Sequence, residues 1–265
     1  MIKIGFVCPT YDAVKLHPYT SAALETFFET TPSGVAIVVD DGSTSWSAAY
    51  EAKLKDIAAG FPHSDLQIIH YAKCGGLTRS WNAGIRRAEN LGLDYVIAGN
   101  NDVLFTPKWY AGLLHALTNG YALVGPLSNA PGITAKGNQE IDRYFPNYRL
   151  NDNPEVLAQI ADYLWTKKLG QVVESKINGF FQMAHIDSWR RGKYDDCHYY
   201  RPVNTHTANG RKNPTPLMTL NEDELQSRWA VKGMRSAIVL SSFIFHYRAV
   251  SRGDRYKRGK WYRKT

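Results

Sequence analysis

Short apolar runs alternate with amphipathic stretches through the first half of the chain. Lys3–Cys8 (KIGFVC), Val35–Val39 (VAIVV), Leu66–Tyr71, Tyr95–Ala98 and Tyr121–Val124 read as strands. Val35–Val39 is apolar throughout and rich in β-branched residues, the pattern of a strand buried on both faces. Between these runs, His17–Thr30, Ser45–Ala59, Leu77–Leu91 and Lys108–Leu117 read as helices. In the third of them Leu77, Trp81, Ile85, Ala88 and Leu91 recur at helical spacing. This alternation predicts an α/β fold, a mostly parallel sheet covered by helices.

The second half is less regular. Asn151–Leu169 reads as a helix, with Asp152 or Asn153 as N-cap and Pro154 in its first turn. Ile177–Ala184 and Ala237–Phe245 read as strands, and Glu222–Lys232 as a helix. Residues 197–216 lack an apolar period and are rich in Asn, Pro and Thr, so they read as a long surface loop suited to be a lid.

The chain has 265 residues, 44% hydrophobic and 21% charged, enough to bury one large core or two small ones. The net charge of +8 comes from 32 Lys and Arg against 24 Asp and Glu. Residues 248–265 hold eight of those cations and one acid, so the C-terminal tail carries +7 and the rest +1. A nucleic-acid-binding module would interleave basic and aromatic residues on the body as well. The near-neutral body argues against that partner. No apolar run approaches the roughly 20 residues of a membrane span. The N-terminus reads as a strand rather than a signal peptide, which points to a cytoplasmic protein. Three widely spaced cysteines (Cys8, Cys74, Cys197) form no CxxC pair and suggest neither a disulfide framework nor a zinc site. Cys8 reads as a small buried thiol.

Candidate chemistry collects at the C-terminal ends of the expected strands, the edge where open α/β sheets bind ligands. Pro9-Thr10-Tyr11 follows the first strand and Asp40-Asp41-Gly42-Ser43 the second. Gly99-Asn100-Asn101-Asp102 follows Tyr95–Ala98, and Glu222-Asp223 opens a late helix. Two adjacent acids after an apolar strand are costly to bury unpaired. Taken singly, each cluster also suits a helix cap or a turn. Their order and spacing carry more.

Together these motifs resemble the inverting GT-A glycosyltransferases of the family 2 type. The residues that carry the resemblance are Gly5–Tyr11, Val38–Thr44, the glycine-led helix start Gly75–Ile85 with its Asn82-Ala83-Gly84, Asn101-Asp102, and Asn221–Arg228. Phe245-His246-Tyr247 with Ser251 is a weaker match, and the whole spans about residues 2–252. The resemblance implies a GT-A fold, a Rossmann-like nucleotide-binding sheet merged with an acceptor-binding half. Residues 1–130 would hold a nucleotide-sugar, residues 131–247 the acceptor and catalytic groups, and residues 248–265 would be a basic tail.

By the same resemblance, Asp41 would bond the donor's base, with Pro9, Thr10 and Tyr11 lining its pocket. Asp40 would support the turn or touch the ribose. Arg79 would donate near the base or phosphates, and Asn101 would bond a ribose hydroxyl. Asp102 would hold Mn²⁺ or Mg²⁺ on the diphosphate, with His246 as a second metal ligand or phosphate contact. Asp223 would be the general base, and Glu222 would bind the acceptor or take that role instead. The family's metal motif has two acids, whereas Asn100 and Asn101 here leave one carboxylate. Phe180, Phe181, Trp189, Tyr194, Tyr199 and Tyr200 are candidates for stacking on sugars. Arg248, Arg252 and Arg255 are placed to fold over the phosphates. Lys257–Lys264 suits peripheral contact with an anionic membrane or a lipid-linked acceptor.

The expected reaction is metal-assisted transfer of a hexose or deoxyhexose, with inversion, from a UDP- or dTDP-sugar to a saccharide or glycoconjugate. A nucleotidyltransferase and a catalytically weak sugar-binding relative stay open as alternatives. A dehydrogenase is disfavoured because no GxGxxG follows the first strand.

Overall fold

The computed structural model describes residues 2–11, 13–132, 138–145, 151–202 and 221–247. Nine strands form a sheet of order β3-β2-β1-β4-β8-β6-β9-β5, with β7 pairing off this path to β9. The strands are β1 Ile4–Thr10, β2 Gly34–Asp40, β3 Asp65–His70, β4 Tyr95–Gly99, β5 Val103–Phe105, β6 Leu123–Leu127, β7 Val172–Glu174, β8 Phe181–His185 and β9 Ser236–His246. The helices are α1 Ala13–Thr30, α2 Ala48–Ala59, α3 Leu77–Asn90, α4 Trp109–Thr118, α5 Pro154–Lys168, α6 Ile186–Arg191 and α7 Asn221–Val231. None of them is long and apolar enough to cross a membrane.

Two cores lie on the two faces of this sheet. Along β1, Val7 joins the core packed by Trp81 and Ile85 of α3, while Phe6 and Cys8 join the core of Phe27 and Phe28 of α1. This is the period-two alternation of a strand buried on both sides. Helix α3 approaches β1 closely because residue 84 is glycine: a Cβ there would overlap the Val7 side chain.

The register decides where the chemistry lies. β3, β2, β1 and β4 are mutually parallel, so Thr10, Asp40 and Gly99 end at one edge. β8 runs antiparallel and starts at that edge, with Phe181 opposite Gly99. β9 is parallel to β6, and the pairing shifts register between Pro126 and Leu127. Past this bulge, β9 pairs with β5 and sets His246 opposite Val103, the residue after Asp102. Bulges re-aim side chains in this way. A cleft of about 250 Å³ between Phe28, Pro32, Phe61 and His63 lies at the opposite edge.

Several sequence expectations shift. The second helix begins at Ala48, not Ser45, because the Ser47 side chain caps it by accepting from Tyr50 N. The expected strand at Ile177 begins at Phe181. Asn153 is the N-cap of α5 and Pro154 sits in its first turn, as expected. The short elements β5, β7 and α6 were not legible in the pattern. Cys8 is a buried free thiol.

Candidate functional site

The turn after β2 is built by its own acids. Asp40 is fully buried and accepts from Ser43 N at 3.1 Å, from Ser43 Oγ, and from His70 Nδ1 at 2.8 Å. These bonds brace the turn, and Ser47 rather than either acid caps α2. Asp41 reaches across to the start of α3. Its carboxylate accepts from Gly75 N at 3.1 Å, Gly76 N at 2.6 Å, Cys74 Sγ at 3.1 Å and Arg79 Nη2 at 2.5 Å. Arg79 also lies over the Tyr71 ring, 3.9 Å from its centroid, and donates to Lys73 O. The Arg79 Nε and the Thr10 Oγ1 are buried without a hydrogen-bond partner. Asp41 N donates to Thr10 O at 2.9 Å, which ties the end of β1 to the turn after β2. Tyr11 is half exposed, whereas Pro9 is buried within β1 and is not part of an open surface.

The expected metal pair comes together. His246 Nε2 lies 3.2 Å from Asp102 Oδ1, and both side chains are buried. His246 Nδ1 is 2.8 Å from Ala130 O, a carbonyl that can only accept, so Nδ1 donates there and Nε2 is the ring atom turned toward Asp102. A carboxylate oxygen and a ring nitrogen at that distance are held together by a proton or a cation between them. Adjacent ligands of an octahedral ion with bonds of about 2.1 Å stand about 3 Å apart. The pair therefore fits a divalent ion that draws its remaining ligands from a diphosphate and water. Among the described residues, no group of three or more His, Cys, Asp or Glu could hold a metal ion.

The third group at this point is Asn100, whose Nδ2 is 3.3 Å from His246 Nε2. Sequence reasoning passed over it in favour of Asn101. Asn101 Nδ2 donates to Thr20 Oγ1 at 2.9 Å and ties β4 to α1. Neighbouring asparagines at a strand end point to opposite sides, and only the strand pairing reveals which faces the site.

Glu222 and Asp223 differ in surroundings. The Glu222 carboxylate rests against Gly179, where an added Cβ would come within 3.0 Å of its Cδ. Burial, and then the neighbouring Asp223, push its carboxyl pKa up. Asp223 faces the cation Lys176, 3.6 Å away at the surface. Asn221, at the start of α7, donates to Thr78 of α3. The residue after Gly179, Phe180, stacks on the His246 ring at 5.0 Å and 14°. One continuous run of contacts thus links the Asp41–Arg79 pair, Glu222 and the Asp102–His246 pair.

The aromatic candidates are mostly core. Phe180, Phe181, Trp189, Tyr199 and Tyr200 are buried, and of the six only Tyr194 is exposed. Asn82 explains part of this, since its side chain accepts from Tyr199 N and Tyr200 N at 2.9 and 2.8 Å and clamps that segment onto α3. Arg252, Arg248, Arg255, the outer tail and most of the 197–216 loop lie outside the described residues.

Known proteins share this fold. The family model "Glycosyl transferase family 2" matches residues 7–182. Among curated proteins none matches the sequence. A mannosyltransferase of Pyrobaculum calidifontis, solved with GDP-Man and Mn²⁺, is 13% identical, with 92% of this chain and 56% of that one covered at a TM-score of 0.58. TarS 1–349 of S. aureus is 12% identical, with 93% and 60% covered at a TM-score of 0.50. The same protein with UDP-GlcNAc gives 12%, 92%, 58% and 0.51. The chain thus spans 56–60% of the length of these structures, and the likeness shows their fold. The fold is GT-A, and the chain belongs to glycosyl transferase family 2.

Proposed function

We propose that this chain transfers a sugar from a nucleotide-sugar to a hydroxyl of a saccharide or glycoconjugate, with inversion at the anomeric carbon. The observation that carries this reading is the convergence, at one sheet edge, of the Asp41–Arg79 pair, the Asp102–His246 pair and the half-buried carboxyl of Glu222. Residues 1–130 hold the donor and residues 131–247 the acceptor.

Arg79, Thr10 and Tyr11 face the donor's base and ribose, and Asp41 holds Arg79 and the Gly75-Gly76 backbone in place. Because its oxygens already accept from four groups, Asp41 acts more through Arg79 than by contacting the base itself. Asp102 and His246 would hold Mn²⁺ or Mg²⁺, with Asn100 beside them. Such an ion would neutralise charge developing on the departing nucleoside diphosphate.

Glu222 suits the general base better than Asp223. A base works best with its pKa raised toward the working pH, and burial raises that of Glu222. Asp223 is paired instead with a surface lysine and suits the acceptor rim. In the reaction, the acceptor oxygen bonds to the anomeric carbon as its proton passes to the Glu222 carboxylate. The bond to the diphosphate oxygen breaks, and the nucleoside diphosphate takes that electron pair.

The structural neighbours were solved with GDP-Man and UDP-GlcNAc, and either class of base suits the Arg79 donors. Glycosyl transfer from a panel of UDP-, dTDP- and GDP-sugars to simple saccharides tests the reading, with release of the nucleoside diphosphate as readout.

A further inference from the structure

The end of β9 is held by a contact that metal binding does not itself require. Asn129, just past β6, bonds both backbone groups of His246: Nδ2 donates to His246 O at 3.0 Å and Oδ1 accepts from His246 N at 2.8 Å. Regular pairing of β6 with β9 ends at Leu127 opposite Phe243. A side-chain amide offers the same donor and acceptor as a peptide group. Asn129 therefore continues the ladder where the backbone of β6 has turned away.

The next residue completes the hold, since Ala130 O faces His246 Nδ1 at 2.8 Å. Behind the ring lies Phe180, stacked nearly parallel. The turn that carries Asn129 is itself anchored. Ser128 N donates to Gln139 O at 2.9 Å, Ile141 N donates to Ser128 O at 3.0 Å, and Ala130 N donates to Ser128 Oγ at 3.3 Å. The His246 backbone, ring plane and ring proton are thus each set by a different neighbour.

We propose that Asn129 is a positioning residue: by bonding both backbone groups of His246, and together with the Ala130 carbonyl on its ring, it aims His246 Nε2 at Asp102 as a metal ligand. The inference rests on reading Asp102 and His246 as a metal pair. Groups that orient a ligating histidine typically change metal affinity about 10- to 100-fold when removed. A role confined to pinning β9 would lower stability and leave the ligand set unchanged.

The test uses the full chain with Mn²⁺ and UDP, read by pulsed electron paramagnetic resonance for coupling between Mn²⁺ and an imidazole nitrogen. The wild type is expected to show the coupling. Asn129→Ala is expected to lose it and to bind Mn²⁺ about 10- to 100-fold more weakly, with UDP affinity in the absence of metal little changed. Asn129→Ala with wild-type coupling and affinity would overturn the proposal alone. A wild type without the coupling would overturn the metal reading and this proposal with it. If Asn129→Ala does not fold, Asn129→Ser decides, since its hydroxyl is too short to bond both backbone groups of His246: weaker coupling and Mn²⁺ affinity support the proposal, and wild-type values overturn it.

Discussion

His246 Nε2, at the end of β9, lies 3.2 Å from Asp102 Oδ1, in the turn between β4 and β5, although the two residues are far apart in the chain. The β9 bulge and its switch from β6 to β5 bring them together. The lone carboxylate after β4 gains a histidine neighbour in this way.

Removal of either partner should act on metal-dependent binding. Asp102→Asn and His246→Gln are each expected to weaken Mn²⁺-dependent UDP affinity about 10- to 100-fold, while metal-free binding changes little. Calorimetric titration with and without Mn²⁺ checks this. Equal losses in both conditions would place these residues outside a metal site.

Glu222→Gln should lower kcat about 10²- to 10⁴-fold with donor affinity retained, and Asp223→Asn should have a much smaller effect on kcat. The reverse ranking would return the base to Asp223. The pH profile follows from the raised Glu222 carboxyl. The base must be ionised, so activity should fall on the acid side with an inflection above the usual carboxylate value of about 4.3.

The same shift acts on stability, in the opposite direction to activity. The folded-state pKa of Glu222 is raised, so the folded protein holds this proton more tightly than the unfolded chain. Its stabilising effect is complete below the unfolded carboxylate value and is lost as pH rises through the folded one. Glu222→Gln should therefore gain thermal stability over wild type at neutral pH and lose that advantage in acid. Unfolding temperatures across this range provide the check. A variant equally displaced at every pH would mean that Glu222 ionisation has no part in it.

Much of the architecture is legible because the parallel half obeys simple patterns. Val35–Val39 could hardly be anything but a doubly buried strand, and α3 carried its face in the spacing of Trp81, Ile85 and Ala88. The misses have physical causes. β5 and β7 have three residues each, too few for a period to show. Asn100 and Asn101 are chemically identical, and only β4 pairing turns one toward His246 and the other toward Thr20. Asn129 carried no local signal, since its partner is the backbone of a strand far along the chain.

Cys74 offers a chemical probe of the donor pocket. Its exposed thiol donates to Asp41, and burial of the sulfur together with that carboxylate raises its pKa. Labelling by iodoacetamide should need more alkaline conditions than an ordinary thiol, and UDP should slow it. Cys197 is also exposed and serves as the internal control, while Cys8 stays unreactive in the folded state. Peptide mapping by mass spectrometry separates the three. Equal protection of Cys74 and Cys197 would argue against a base pocket at Asp41–Arg79.

Gly84→Ala should destabilise the fold by about 1–3 kcal/mol, because the added methyl separates α3 from Val7. Denaturant unfolding measures it. An unchanged midpoint would show that α3 can shift without cost.

Binding of nucleotide-sugars, followed as protection from thermal unfolding with and without Mn²⁺, tests the central claim most directly. A donor at 100 times its Kd should stabilise the protein by about 2.7 kcal/mol. The expected result is protection by at least one UDP-, dTDP- or GDP-sugar that strengthens with Mn²⁺ and is accompanied by slow donor hydrolysis. No protection by any donor, with or without the metal, would contradict the reading of this edge as a glycosyl-transfer site.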